Sequence, residues 1–565
     1  MMRKVFLVIT IALITVNSYG QTPNWEWART ATNFGHGTEG FAVTTDLFGN
    51  VFATGFFEDS LIIFGSDTLT NQYFYIVKYD SSGNVIFAKD AIGEAIGYGI
   101  ATDAVGNIYV TGQFSSSSVT FGSYTLTNSG ANDLFLVKYN SLGVVQWLRG
   151  AIGSGTEDAN SVATDNFGNV FITGESWSPM LIFGMDTLTR TGTTFLYIVK
   201  YDSLGNVIFA KTANVSPLAN GAYSNSISAD ISGNSYITGT FVGGGAQTGV
   251  SISFDTITLI DSTNVFFITK YNPLGIALWA KKAIEPVLGN SSGISITATN
   301  SEKIYVTGNF NGTSISFDTF SITNIGTTNV FLTKYDSLGN VLFAKGIGET
   351  LEDQSYSIAS DNYDNVYITG QTDTSLMTLD TITLQIPIGP DPMFFTKYNS
   401  SGHALFAIAF PSGADDQNAV AVNNSGNAFI CGDFFQVNPF IIGSDSLPLT
   451  GTDAESFFIA KLGLINNIET GKQETNTTPP AISLYPNPNN GAFTFSYHLN
   501  QSGIPNSELL ITDVTGRTLY SYSINNLEGQ ETLTLPLSNG IYFWQLLNEG
   551  IIIGNGKLLI INNEK

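Results

Sequence analysis

Apolar residues in this chain come in short runs closed by Gly, Asn or Asp, and the runs recur in a fixed order. One unit shows the pattern: a short run at Asn160–Asp165, a second at Asn169–Gly174, a third at Phe195–Tyr201 and a fourth at Asn206–Lys211. Each is rich in β-branched and aromatic residues, which predicts four strands. Asp165-Asn166-Phe167-Gly168-Asn169 and Asp202-Ser203-Leu204-Gly205-Asn206 place Gly where a tight turn needs a left-handed residue, so hairpins are predicted. Variants of this turn recur at 46–50, 103–107, 230–234 and 361–365. Between the second and third strands lies a longer link containing Phe-Gly-x-Asp, as at Phe64–Asp67 and Phe183–Asp186. The runs are nearly continuous rather than alternating, as in sheets covered on both faces.

The unit occurs seven times. One marker is an apolar run ending in Lys-Tyr, at Lys78, Lys138, Lys200, Lys270, Lys334 and Lys397, with Lys461-Leu462 as the seventh copy. The other is Thr-Gly at Gly55, Gly112, Gly174, Gly239, Gly308 and Gly370, with Cys431-Gly432 last. Four strands in about 60 residues fit one propeller blade. The fourth strand ends in an aromatic, a small or apolar residue and usually a cation, as in Trp147-Leu148-Arg149. Six units carry it. The seventh runs out after Lys461, and the missing copy stands near the N-terminus as Trp27-Ala28-Arg29. The expected fold is all-β: a seven-bladed β-propeller whose last blade is closed by the N-terminal strand, leaving no open seam.

Units built as Thr-Asp-x-x-Gly-Asn-Val-Tyr-Val-Thr-Gly, then Phe-Leu-x-Lys-Tyr-Asp, resemble the bacterial SBBP β-propeller repeat family over residues 22–463. That resemblance implies the fold and little about activity.

Composition changes near residue 466. Residues 466–481 are polar, end in Pro479-Pro480 and read as a linker between a propeller at 21–465 and a domain at 482–565. The last domain has short, closely spaced strands, which predict a small Ig-like β-sandwich. Tyr485-Pro486-Asn487-Pro488 with Gly491, then Asp513-Val514-Thr515-Gly516, then Gly540-Ile541-Tyr542 and Lys557-Leu558, resemble the type A sorting domain of the type IX secretion system. The resemblance implies recognition by that export machinery, and release outside the cell or attachment to surface lipopolysaccharide. Residues 1–20 read as a signal peptide: Arg3 and Lys4 precede an apolar run at Val5–Val16, and Ser18-Tyr19-Gly20 offers small residues for cleavage. Sec-type export to the periplasm is expected, with no transmembrane helix in the mature chain.

Charge narrows the partners. With 22 basic and 46 acidic residues the net charge is -24, which repels phosphate backbones, so no nucleic-acid partner is expected. The single cysteine, Cys431, forms no internal disulfide and reads as a small buried strand residue.

No catalytic set stands out, and neither metal nor cofactor is expected. The three histidines, His36, His403 and His498, do not converge in the repeat pattern. The turn aspartates read as Asx-type turns rather than calcium loops, which offer several carboxylates together. The repeated lysine is expected to pair, half-buried, with the Asp ending the first strand, although Asn300 and Asn423 replace it in two units. Glu157-Asp158, Glu352-Asp353 and Asp415-Asp416 read as solvated turn acids.

Function is sought where copies differ. After Thr-Gly stand Phe56, Gln113, Glu175, Thr240, Asn309, Gln371 and Asp433. Of these, Gln113, Glu175, Asn309, Gln371 and Asp433, together with Trp177, are the candidate ligand-binding residues, against a plainer reading as loop-rim side chains. The loops 242–250 and 386–392 are further candidates. The leading expectation is a non-catalytic platform binding a protein or glycan. The alternative is an extracellular polysaccharide hydrolase or lyase, which requires a convergent carboxylate pair. A purely adhesive role is the third.

Overall fold

A computed structural model describes residues 24–560 except 35–36, 217–218, 244–248, 286–288, 388–390, 412–417, 436, 438, 450–454, 464–480, 486–489, 499–506, 514–516, 525, 527 and 549–550. The signal-peptide and linker expectations, His36 and Asp415-Asp416 lie outside the described residues. The chain divides into two compact units between Asn467 and Ile468.

The first unit is all strand among its described residues. It holds seven four-stranded antiparallel sheets, here numbered one to seven in chain order. Sheet three is typical, with an inner strand Glu157–Thr164, a second Val170–Ser176, a third Phe195–Tyr201 and an outer Val207–Thr212. The inner strands pack side by side in sequence. That of sheet seven, Ala419–Val422, then packs against Thr38–Thr45 of sheet one, so the series returns on itself. The second and third strands are buried almost throughout, because each sheet is covered by a neighbour on either face. The outer strand of sheet seven is Trp25–Thr30, paired antiparallel with Ser456–Leu462 so that Ala28 faces Ala460.

The link between second and third strands is more ordered than a plain connection. In every sheet it forms its own ribbon, two-stranded in six of them, such as Met180–Phe183 with Asp186–Thr189, and joined by Asn214–Val215 in sheet four. The Phe-Gly-x-Asp motif is its turn: Gly184 takes a left-handed φ of 59°. The Asp186 carboxylate accepts the amide of Ala210 in the outer strand at 2.9 Å, and Asp445 does the same for Ala28.

The turn ends of the sheets interlock. Asp165 Oδ1 accepts the amides of Phe167 and Asn169, and its Oδ2 accepts the Asn169 side-chain amide at 2.7 Å. The carboxylate is thus occupied by donors of its own turn, an Asx arrangement. In sheet five this position is Thr299, one residue before Asn300, whereas Asn423 holds it in sheet seven as expected.

The repeated lysine differs from expectation. Its ammonium lies over the ring of the second strand, 5.1 Å for Lys138 and Tyr109, and donates to a carbonyl in the turn of the next sheet. Lys138 reaches Ser203, Lys78 reaches Ser141 and Lys461 reaches Ser81 of sheet one. Pairing with the first-strand Asp is close only at Lys200 with Asp165, 3.7 Å, and Lys397 with Asp361, 3.4 Å. Lys397 has a structural reason. The next sheet takes its outer strand from the N-terminus, so it has no turn there to offer a carbonyl.

In the second unit a three-stranded sheet, with Ala481–Tyr485, Ala492–His498 and Glu528–Thr534, and a four-stranded sheet, with Ser507–Thr512, Thr518–Ile524, Gly540–Asn548 and Ile551–Ile560, share one core. Phe493, Phe495, Leu509, Ile511, Trp544 and Leu558 fill it.

Candidate functional site

Each inner strand of sheets one to six carries one extra residue that pairs with nothing opposite. The register skips Phe41, Tyr98, Asn160, Asn225, Ile294 and Tyr356. Such a bulge bends a strand and re-aims a side chain. The glycine of each Thr-Gly mark stands across from it. A methyl group on Gly174 would strike the Asp158 carbonyl, and one on Gly112 the Ile96 carbonyl, so the bulge imposes glycine there.

These bulge residues and Asn418 of sheet seven converge on one cavity of about 540 Å³. Its wall therefore takes one variable side chain from every sheet. This ring was absent from the sequence-based candidates. The signal for it was the small-x-small pattern opposite each Thr-Gly, as in Gly97-Tyr98-Gly99 and Ser355-Tyr356-Ser357.

The predicted residues stand just behind that ring, in second strands rather than in rim loops. Gln113 donates to the Tyr98 hydroxyl at 2.5 Å and accepts from Asn132 at 2.8 Å. Glu175 accepts the Asn160 amide at 2.6 Å. Gln371 accepts the Tyr356 hydroxyl and donates to Asp391. Asn309 accepts the amide and hydroxyl of Ser355, and with Thr240 it also lines a separate cavity of about 230 Å³. Asp433 is buried in sheet seven. Trp177 lies beyond the second strand of sheet three, 38% exposed, with its ring 6.2 Å from Tyr223 of sheet four. The candidate loops 242–250 and 386–392 are described only in part.

Glu352 is exposed as expected, but Glu157, Asp158 and Asp353 are not solvated turn acids. Glu157 and Asp353 begin inner strands and are buried, because the chain enters the sheet at those points. Ser178 donates to Glu157 and Thr372 to Asp353. Burial raises Asp353 to about 6 and also raises Glu157, beside the Asp133 carboxyl of sheet two. Asp158 lines the cavity of the bulge residues and faces Glu175 across the strand pair. Burial lifts Asp158 to about 6, and burial with the Asp158 charge lifts Glu175 to about 8. Near neutral pH this pair therefore holds about one proton.

His403 contacts Asp380 at 3.0 Å on the exposed surface. No cluster of three or more metal-ligating side chains occurs among the described residues. Cys431 is fully buried, and burial raises its thiol far above the ordinary range.

The model of the β-propeller repeat matches residues 146–179, from the outer strand of sheet two to just past Trp177, and the model of the secretion system C-terminal sorting domain matches residues 483–561. The chain carries an SBBP β-propeller repeat and a type IX C-terminal sorting domain. This sorting domain indicates export to the cell surface or extracellular space and handling by the type IX machinery. Within it, Gly491 has a positive φ of 93° and its carbonyl accepts the Leu535 amide. Gly540 opens a strand, the Tyr542 hydroxyl donates to Ser538, and Leu558 is in the core. Tyr485 and Lys557 lie in strands, whereas Pro486, Asn487, Pro488 and Gly516 lie outside the described residues. No helix among the described residues is long and apolar enough to cross a membrane.

The chain is 27% identical over 439 residues to an uncharacterized WD repeat-containing protein of Acanthamoeba polyphaga mimivirus. The match covers 64% of this chain and 31% of that one, so the chain spans less than a third of this relative. Among solved structures, a quinohemoprotein alcohol dehydrogenase of Pseudomonas putida HK5 aligns at 9% identity and a TM-score of 0.34, covering 83% and 81% of the two chains. Dimeric latent PorU of Porphyromonas gingivalis aligns at 11% identity and a TM-score of 0.14, covering 71% and 32%. At these values neither likeness speaks to activity.

Proposed function

We propose that this protein is an exported, non-catalytic binding platform: a seven-bladed β-propeller over residues 21–465, latched by Trp25–Thr30, with a removable signal peptide and an Ig-like sorting domain at 482–565. The return of the seventh inner strand onto the first supports the blade number. One observation carries the binding role. One variable side chain from each repeat reaches a single cavity, and Tyr98, Asn160 and Tyr356 among them are braced from behind by Gln113, Glu175 and Gln371. Braced polar side chains around a concave site are what ligand recognition requires. The mature full-length protein, screened on a glycan array and a polysaccharide panel, is expected to retain ligand and release no products. Turnover of any polymer would replace this reading with the hydrolase or lyase.

A further inference from the structure

The cavity of the bulge residues has two chemically different halves. The residue after each bulge is Ala42 in sheet one and Gly99 in sheet two, and Ala419 follows Asn418 in sheet seven. These three sheets are neighbours. The bulge rings on this side, Phe41 and Tyr98, lie 5.9 Å apart. In sheets three to six the same position is Ser161, Ser226, Ser295 and Ser357. Each serine oxygen accepts a backbone amide from the next sheet, of Ile227, Ile296, Ile358 and Val420 respectively, at 3.2 to 3.3 Å. Among the described residues no protein acceptor takes the hydroxyl hydrogen of any of the four. One side therefore carries two aromatic rings over small apolar residues, with Asn418 at its edge. The other is a row of O–H donors with Asn160 and Asn225 beside its first half and Ile294 and Tyr356 beside its second. Next to them Asp158 Oδ1 is buried without a hydrogen-bond donor among the described residues.

We propose that this cavity is a saccharide site, taking an uncharged pyranose ring whose apolar face lies toward Phe41 and Tyr98 and whose hydroxyls meet the serine and asparagine side. This rests on the platform reading and names its ligand. A pyranose has the same two-sided chemistry, C–H groups on its faces and hydroxyls at its edge, and aromatic rings suit the former. Each hydroxyl both donates and accepts, so it can serve Asp158 Oδ1 and the serine O–H groups alike. A purely apolar ligand would strand these buried groups. An anion fails because no lysine or arginine lines the cavity and Asp158 does. A cation would meet Asp158 but leave the four serine O–H groups without acceptors.

Calorimetric titration of the mature full-length protein would use cellobiose, mannobiose and lactose, a glucuronate-bearing disaccharide, and tetramethylammonium. At least one neutral disaccharide is expected to bind, with affinity falling tenfold or more in Tyr98→Ala and in Asn225→Ala. Ser232→Ala, in a turn at the opposite end of the sheets, should leave it unchanged. Thermal melting controls for folding, and Tyr98→Leu replaces Tyr98→Ala where that variant does not fold. Neutral disaccharides that do not bind, or bind equally to parent and cavity variants, overturn the proposal. Binding of the uronate or the ammonium probe, lost in the same variants, overturns the saccharide class and leaves the platform standing. Absence of any cavity-dependent binding, here and on the array, overturns both.

Discussion

The two ends of the seven sheets are built on opposite rules. At the turn end the repeats say nearly the same thing each time: an Asx turn, a lysine over an aromatic ring, and a Trp or Phe closing the outer strand. The tryptophan and most of the lysine donors there are spent on the next sheet, while the Asx carboxylates serve their own turns. Trp147 and Lys138 of sheet two meet at the Ser203 carbonyl of sheet three, and Trp279 and Lys270 of sheet four meet at Ser337 of sheet five. At the bulge end the backbone repeats but the side chains do not, running through Phe41, Tyr98, Asn160, Asn225, Ile294 and Tyr356. Sameness marks where sheets hold one another, and difference marks where they face something else. A repeat protein can vary its bulge residues at little cost, because the braces lie in the second strand and the clasps at the far end.

The sharpest test of the turn end is the closure itself. Trp27 is 5% exposed, and its indole N–H donates to the Ser81 carbonyl of sheet one at 3.1 Å, beside Arg29 donating to Gly83. Truncating a buried tryptophan costs about 3–5 kcal/mol. Trp27→Ala is therefore expected to lower the urea midpoint strongly. Trp177→Ala at the bulge end, where the ring is partly exposed, should stay within about 0.5 kcal/mol. Equal losses from the two tryptophans would erase the distinction between the ends.

That closure was legible in sequence because Trp27-Ala28-Arg29 is the copy missing from the seventh unit. The four strands were legible for the same reason, since seven copies average out local ambiguity. The ribbons after each second strand were not. Their strands are three to five residues long, and Phe-Gly-x-Asp reads as a loop until Gly184 or Gly65 is seen at a positive φ. The bulge ring was missed because an unpaired residue leaves no mark in an apolar pattern. It shows only in the small residues that flank it and in its partner, the glycine of Thr-Gly. The carbonyl acceptors of Lys78, Lys138, Lys200, Lys270 and Lys334 were missed because they lie 63 to 73 residues on, in another repeat, beyond the reach of any local spacing.

The bulge end should carry a pH dependence that the turn aspartates do not. Glu175 has its carboxyl raised to about 8 by burial and by Asp158, so the folded state binds its proton more tightly than the unfolded chain does. Between about pH 4.5 and 8 the folded form holds more protons, and stability falls as pH rises through that window, then levels. Glu175→Gln should remove this limb, raising stability at pH 8.5 by on the order of 2 kcal/mol while changing little at pH 4.5. The turn carboxylates Asp80, Asp202 and Asp336 are lowered, with donors of their own turns among the causes, so they act in the acid range instead. Melting curves at the two pH values check the sign. A Glu175→Gln protein that is no more stable at pH 8.5 would place the strain elsewhere, first at the buried Glu157.

The smallest effect separates two accounts of the repeated lysine. If Lys138 chiefly neutralised Asp103, then Lys138→Met would strand a buried carboxylate and cost about 3–5 kcal/mol. Asp103, however, already accepts the amides of Val105 and Asn107, the Asn107 side chain and the Tyr109 hydroxyl. The carbonyl that Lys138 leaves, Ser203, keeps the Trp147 N–H. Methionine also retains the apolar stem over Tyr109. With both partners still satisfied, the expected loss is about 1 kcal/mol, the net worth of one hydrogen bond. Coupling is expected instead between Lys138 and Trp147, which share an acceptor, so a Lys138→Met, Trp147→Phe double-mutant cycle should depart from additivity, whereas Lys138→Met with Asp103→Asn should come close to it. The reverse ranking would move the turn end's chief contact from between sheets to within one.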